Sequence, residues 1–348
     1  MKLNNRVLFV LIGGTGCRLG ALTDRRIREE ICGVDGTAFQ RLRPGAQRYE
    51  LPACIQFVYI DINLGDLAKV REWSVPDPRH VSAADATAHH TGLVTSAAAY
   101  PELADNLRLH AGPETESWLP PPIGEPYVTP LWRGAGQFPT IAQAVVYEIL
   151  ATGPQAAVGR LKEAIDRLAS PQAASDLHRM AGAAATGDAS AVDVFVGFSV
   201  AGGTGCGLFL AYLHLIAELF SRTTLKPMIY PLVLLPSAFE EGLGGGRAAD
   251  LNAARALLEL FRLIDRQNRG TSVRSLRSDG AGAPADAQAD GDDDPPGLWL
   301  PGLGQVRMRP GLAQSAFLVS RRARSCSRGR RESLRRTCAI RWSNWCSR

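Results

Sequence analysis

Lysine is nearly missing from this chain. Only four of its 39 basic residues are lysines, Lys2, Lys69, Lys162 and Lys226, and none of them follows a glycine. A phosphate loop of the G-x-x-x-x-G-K-[ST] kind needs its lysine against the β- and γ-phosphates, so that class of ATPase or GTPase is excluded. Paired cysteines are missing too. Cys17, Cys32, Cys54, Cys206, Cys326, Cys338 and Cys346 show neither zinc-ligand spacing nor a disulfide framework, and read as reduced thiols. No stretch approaches the ~18 apolar residues that cross a bilayer, and the apolar run at 7–12 is too short for a signal-peptide core. A cytoplasmic protein with no membrane span is therefore expected. The formal charge is +5, but ten arginines and one glutamate fall at 321–348, so the rest of the chain is acidic on balance. Basic residues do not interleave with aromatics across a domain, and no specific nucleic-acid partner is expected.

The 348 residues are 45% apolar, enough for a real core. "RVLFVLIGGTG" at 6–16 is an unbroken apolar run stopping at glycine, the pattern of a buried parallel strand entering a turn, and helical spacing follows to residue 31. "IQFVYIDIN", "VDVFVGFSV" and "KPMIYPLVLLP" repeat the strand pattern. Helices are expected after "GAGQFP", across 155–187 with a break near Ser170 and Pro171, over "LFLAYLHLIAELF" and over "AADLNAARALLELFRLIDRQ". Residues between the second strand and about 127 read as short helices and loops. Strand, glycine turn and helix in succession predict an α/β fold, a doubly wound parallel sheet with ligands at the carboxyl ends of its strands. The organisation expected is a nucleotide-binding domain over 1–266, a disordered acidic insert over 267–300, a last strand within 301–320 ("SAFLVS"), and a basic tail over 321–348, disordered or out of frame.

Glycine turns opening helices are the chemical signal. They let backbone approach a phosphate and aim unpaired N–H groups at it, although any one of them can equally be a tight strand-to-helix connection. Gly14-Thr15-Gly16 with Gly20 also permits a nicotinamide-binding reading, but Asp61 lies about twice as far on as the ribose-binding acid of that motif should. His214, in an apolar helix, reads as a satisfied core histidine, and His89 and His90 point apart on any regular element, so no metal site is expected. Cys17 and Cys206 fall on two turns expected to face each other across a ligand, as small packing residues or, less simply, as thiols activated at helix N-termini.

Four segments together carry a resemblance. "AGGTGCG" at 201–207 resembles the [SAG]-G-G-T-G-x-G signature of the tubulin and FtsZ superfamily of GTPases, between a buried strand and a helix. "GGTGCRLG" at 13–20 is similar to the first tubulin nucleotide loop, "GAGQFP" at 134–139 to the third FtsZ loop, and "PSAFEEG" at 236–242 to the FtsZ stretch after the fifth strand. They occur in the family's order, and their spacing resembles a bacterial branch outside tubulin and FtsZ themselves.

The resemblance implies a Rossmann-type GTPase domain binding GTP with Mg2+. Gly13, Gly14, Thr15 and Gly16 would lie along the phosphates from one side, and Ala201, Gly202, Gly203, Thr204, Gly205, Cys206 and Gly207 would hold the α- and β-phosphates. Asp61 and Asn63 would stand near the magnesium and γ-phosphate, Gly134, Ala135 and Gly136 would sense the γ-phosphate, and Glu240 and Arg247 would reach the ribose and nucleotide. It also implies self-association into cytoskeletal filaments. Two departures bear on this. Gly14 stands where tubulin has glutamine, and nothing beyond 320 matches the family's central helix or its water-activating carboxylate loop. The implied function is a GTP-binding tubulin-like protein whose hydrolysis lacks its activating half. The alternatives are a non-hydrolysing nucleotide-binding scaffold and an NAD(P)-dependent Rossmann enzyme.

Overall fold

The computed structural model describes residues 3–111, 115, 118–120, 130–181, 188–239, 245–278 and 297–320. The first unit is β1 (Arg6–Ile12), α1 (Gly13–Cys32), β2 (Ile55–Asp61) and α2 (Leu64–Ser74), followed by β3 (Ala88–Gly92) and α3 (Tyr100–His110). Three helices come next, α4 (Pro139–Thr152), α5 (Gln155–Ala169) and α6 (Pro171–Ala181). The second half holds β4 (Ala191–Ser199), α7 (Gly203–Ser221), β5 (Lys226–Leu234), α8 (Arg247–Ser278), β6 (Leu298–Leu300), β7 (Gly304–Val306) and β8 (Phe317–Val319).

One six-stranded sheet in the order β3-β2-β1-β4-β5-β8 organises the chain, and every neighbouring pair in it is parallel. Every residue of β1 and β2 is buried because helices cover both faces, which is why these strands read as unbroken apolar runs. Alternate residues serve two cores. Leu8, Val10, Ile12, Val58 and Ile60 pack with α3, α4, α5 and α7, while Val7, Phe9, Leu11, Phe57 and Tyr59 pack with α1 and α2.

On the α1 face an aromatic row crosses all six strands. Tyr59 stacks on His90 of β3 at 5.3 Å and on Phe57 at 6.1 Å, and Phe57 stacks on Phe9 at 4.6 Å. Phe9 continues to Phe195 at 5.3 Å, Phe195 to Tyr230 at 5.3 Å, and Tyr230 to Phe317 of β8 at 6.2 Å. The cross-strand partners Phe9 with Phe57, Phe9 with Phe195, and Phe195 with Tyr230 are in direct register.

Helix α7 is long and apolar enough to cross a membrane, with a mean hydropathy of 1.4, but 72% of that stretch is buried inside the protein. It is apolar all round because the sheet, α4 and α8 surround it. Two boundaries differ from expectation. The stretch expected to be a disordered insert from 267 continues as helix through Ser278, with an i,i+4 pair between Arg269 and Asp265 at 2.6 Å, and Leu298–Leu300 pair with Gly304–Val306 as a hairpin. Residues 279–296 and 321–348 lie outside the described residues.

The expected loop region also contains a strand, β3, at the sheet edge. Its His89 is 4% exposed, and its Nε2 shares a 2.8 Å hydrogen bond with Gln56 Oε1. Burial pushes this imidazole down to about 4, against partial relief from Glu163. The folded protein therefore keeps His89 neutral, whereas the unfolded chain protonates it near 6.5. Stability from this group is complete above that value and is lost as the pH falls toward 4, by on the order of 3 kcal/mol. Urea denaturation at pH 7 and pH 4.5 should show this loss, and His89→Gln should reduce it; an identical loss in the variant would assign it elsewhere.

Candidate functional site

The carboxyl ends of β1, β2 and β4 open on one side of the sheet, and helices begin there. The N-caps of α1, α4 and α7 are Ile12, Phe138 and Gly202, none of which caps its helix with a side chain, and none of the three helices has an acidic residue in its first turn. The first N–H groups of a helix have no intrahelical partner and carry the positive end of the helix dipole. Three such ends supply donors and positive potential but no acid of their own to use them.

The glycines show how closely the segments meet. A Cβ built on Gly13, whose φ is +75°, would lie 3.0 Å from the Gly205 nitrogen and 3.3 Å from Thr204 Cβ, so the first turns of α1 and α7 touch. One on Gly134 would lie 3.5 Å from Asn63 Cβ, and one on Gly203 would lie 2.8 Å from both the Gly136 oxygen and the Phe138 nitrogen. The segments 13–16, 61–66, 134–139 and 201–207 thus converge.

The signature glycines divide by role. Gly205 and Gly207 serve packing: a Cβ there would meet the Ser199 oxygen at 2.5 Å and the Pro139 oxygen at 2.1 Å. Gly202 has nothing within 4 Å of its Cβ position and presents open backbone. Thr15 and Thr204, half-buried at the starts of their helices, have hydroxyls with no hydrogen-bond partner among the described residues.

Asp61 closes the site beneath Gly14. It is 1% exposed, and its Oδ1 accepts from the Ile62 N–H at 2.8 Å and the Asn63 N–H at 3.2 Å. Its Oδ2 is buried without a partner among the described residues, 3.5 Å from the Cβ position of Gly14. Desolvation pushes its carboxyl up to about 6, with Asp66 adding to the rise and the two amides opposing it. Asp66, which the sequence reading did not single out, brings its Oδ2 to 3.3 Å from the same Cβ position. Asn63 is used locally, its Oδ1 accepting from the Asp66 N–H at 3.2 Å and its Nδ2 donating to Asp66 Oδ2 at 3.0 Å. The signal for Asp66 was the reciprocal N-x-x-D cap that starts α2.

A family model described as "Tubulin like" matches residues 8–295. The chain belongs to this tubulin-like family. Solved structures similar to it include a GTPγS-bound protofilament of CetZ2 from Haloferax volcanii, with 16% identity and a TM-score of 0.34, covering 74% of this chain and 46% of that one. A GTPγS-form protofilament of TubZ from Bacillus thuringiensis serovar israelensis has 14% identity and a TM-score of 0.32, covering 77% and 44%. A two-stranded TubZ-Bt filament has 13% identity and a TM-score of 0.33, covering 77% and 42%. The chain thus spans less than half the length of each. No curated protein matches it.

Within the tubulin-like chain, Gly13, Gly14, Thr15 and Gly16, Asp61 and Asn63, Gly134, Ala135 and Gly136, and the 201–207 signature all fall on the converging segments. Glu240 lies outside the described residues, and Arg247, exposed at the start of α8, makes no described contact with the cluster. The cysteines do not face each other across the site. Cys17 turns its sulfur to the carbonyls of Leu11 and Ile60 at 3.4 and 3.6 Å, and Cys206 turns its sulfur to the Asn252 carbonyl at 3.4 Å. Burial raises the Cys17 thiol far above its usual range and the Cys206 thiol to about 12, overriding any activation by the helix ends. Asn252, in the second turn of α8, was also missed. Its Nδ2 donates to the Gln137 carbonyl at 2.9 Å and lies 3.5 Å from that of Ala201.

Proposed function

We propose that this tubulin-like chain binds GTP with Mg2+ where the four segments converge, and that the bound form self-associates in the cytoplasm. The observation that carries the reading is three helix N-termini without side-chain caps, gathered beside a buried carboxylate oxygen that has no partner among the described residues. The α1 and α7 ends and the Thr15 and Thr204 hydroxyls suit phosphate oxygens. Asp61 Oδ2 and Asp66, both beside Gly14, are hard oxygen donors that suit a hydrated magnesium ion, which would neutralise phosphate charge. The choice of guanine rests on the motif resemblance, because the geometry described reads phosphates. The proposal is of binding and assembly; water-activating carboxylates are not assigned to this chain, and turnover by the isolated protein is expected to be slow.

Calorimetric titration with GTP, ATP and NAD in magnesium, on the native chain and on a Gly203→Val, Thr204→Ala double variant, tests it. The valine would strike the Gly136 and Phe138 backbone, and selective GTP binding should disappear. Thr204→Ala alone keeps the backbone fit and should weaken GTP about tenfold through one lost hydrogen bond to a charged acceptor. Binding of NAD alone, or of no nucleotide, overturns the reading.

A further inference from the structure

The 134–138 loop competes with the ligand proposed above. The Gly203 N–H, the first amide of α7, donates to the Gly136 carbonyl at 2.7 Å. A carbonyl oxygen thereby occupies a donor that a phosphate oxygen would take. The loop reaches this position through two left-handed glycines, Gly134 at φ +100° and Gly136 at φ +56°.

Asn252 ties this loop down. Its side-chain amide bonds the Gln137 carbonyl, one residue past Gly136, and approaches that of Ala201, one residue before the α7 N-cap. Its own carbonyl accepts from the Cys206 thiol in the first turn of α7. One residue on α8 thus grips the loop, the residue before the cap, and the helix that the loop covers. Asparagine is a poor helix former, and its side chain here reaches across to other elements instead of bonding its own helix.

We propose that Asn252 is a positioning residue that latches the 134–138 loop over the start of α7, so that phosphate binding must displace the Gly136 carbonyl and release the loop from α8. The inference rests on the nucleotide reading of the site. It gives α8 a part in setting affinity without any contact with the ligand.

The experiment compares the native chain with Asn252→Ala and Asn252→Gln, using calorimetry with GTP and GDP in magnesium and hydrogen exchange followed on peptides spanning 134–145 and 198–209. Loss of the amide should quicken exchange in both peptides and tighten nucleotide binding about fivefold, the equivalent of one ordinary hydrogen bond. The glutamine variant, which keeps the amide, should restore part of both effects. A purely structural role predicts the opposite sign, weaker binding with faster exchange spreading into α7 and β4, and would overturn the latch. Normal GTP binding with unchanged affinity and exchange would also overturn it, leaving the nucleotide reading intact. Failure of the native chain and both variants to bind GTP would overturn the nucleotide reading and the latch together.

Discussion

Arg28→Met will cost the fold about 3–5 kcal/mol, measured by urea denaturation at pH 7, although it replaces a charge with an apolar chain of similar length. Arg28 and Asp24 are both fully buried one helical turn apart on α1, with Arg28 Nε 2.8 Å from Asp24 Oδ1. The guanidinium also donates to the carbonyls of Tyr49 at 2.6 Å and Ala83 at 3.3 Å and to the Thr87 hydroxyl at 3.2 Å, while the Tyr59 hydroxyl donates to Asp24 at 3.2 Å. One side chain therefore fastens α1 to two irregular segments. The first includes Tyr49, held at φ +60°, a left-handed conformation unusual for a bulky residue. Removing the arginine orphans a carboxylate whose pKa burial already raises. A second substitution, Asp24→Leu in the Arg28→Met background, should recover a large part of the loss, because it removes the orphaned charge. If the double variant is no more stable than the single one, the carbonyl and hydroxyl contacts, not the ion pair, hold this region together.

Asp61→Asn should act in the opposite direction, raising stability at pH 7 by on the order of 3 kcal/mol while removing magnesium-dependent GTP binding. Asparagine keeps the oxygen that receives the Ile62 and Asn63 amides. The gain follows from the raised carboxyl: with a folded value of about 6 against 3.8 in the unfolded chain, the folded state holds the proton more tightly between those limits. Stability from Asp61 consequently falls as the pH rises through that window, and the full penalty stands at neutral pH. The native and variant denaturation midpoints should converge toward pH 4. This slope opposes that of His89, so each group must be read from its own variant. A residue that destabilises its own fold at working pH while leaving an oxygen unpartnered is what a site retained for function looks like. Equal stability of the two proteins at pH 7 would show that water or a counter-ion already satisfies that oxygen.

The main course of the sheet was legible because β1, β2, β4 and β5 are apolar runs ending at glycine, at a polar residue or, after β5, at Pro236, and burial on both faces leaves that mark most plainly in β1 and β2. Three of the converging segments, 13–16, 134–139 and 201–207, were legible because each joins a glycine turn to a helix, and 61–66 because Asp61 and Asn63 end the apolar run of β2. Strand β3 was not, since "AHHTG" has neither an apolar run nor alternation, and it is a strand only because β2 offers it backbone partners. The extension of α8 past 267 was hidden by a polar sequence that i,i+4 pairing can still hold helical. Asn252's contacts and the burial of the Arg28–Asp24 pair left no signal. Their partners are carbonyls and side chains from distant segments, and no local pattern encodes which carbonyl a folded helix will pass. The cysteine error arose from placing residues by loop, when a helix turns successive side chains by 100° and sends Cys17 and Cys206 into neighbouring layers.

The aromatic row from His90 to Phe317 makes the sheet behave like a ruler. From His90 to Tyr230 the rings are stacked in register and allow each of those strands one axial setting relative to its neighbours, because a slip of one residue would send a ring to the opposite face. The strands whose ends carry the site, β1, β2 and β4, meet at Phe9, which stacks on Phe57 at 4.6 Å on one side and on Phe195 at 5.3 Å on the other. A single-residue insertion before Phe9, Phe57 or Phe195 would thus be absorbed at the far end of the strand. An insertion after any of them would carry the glycine turn after β1 or β4, or Asp61 at the end of β2, outward by about 3.3 Å, the rise of one strand residue.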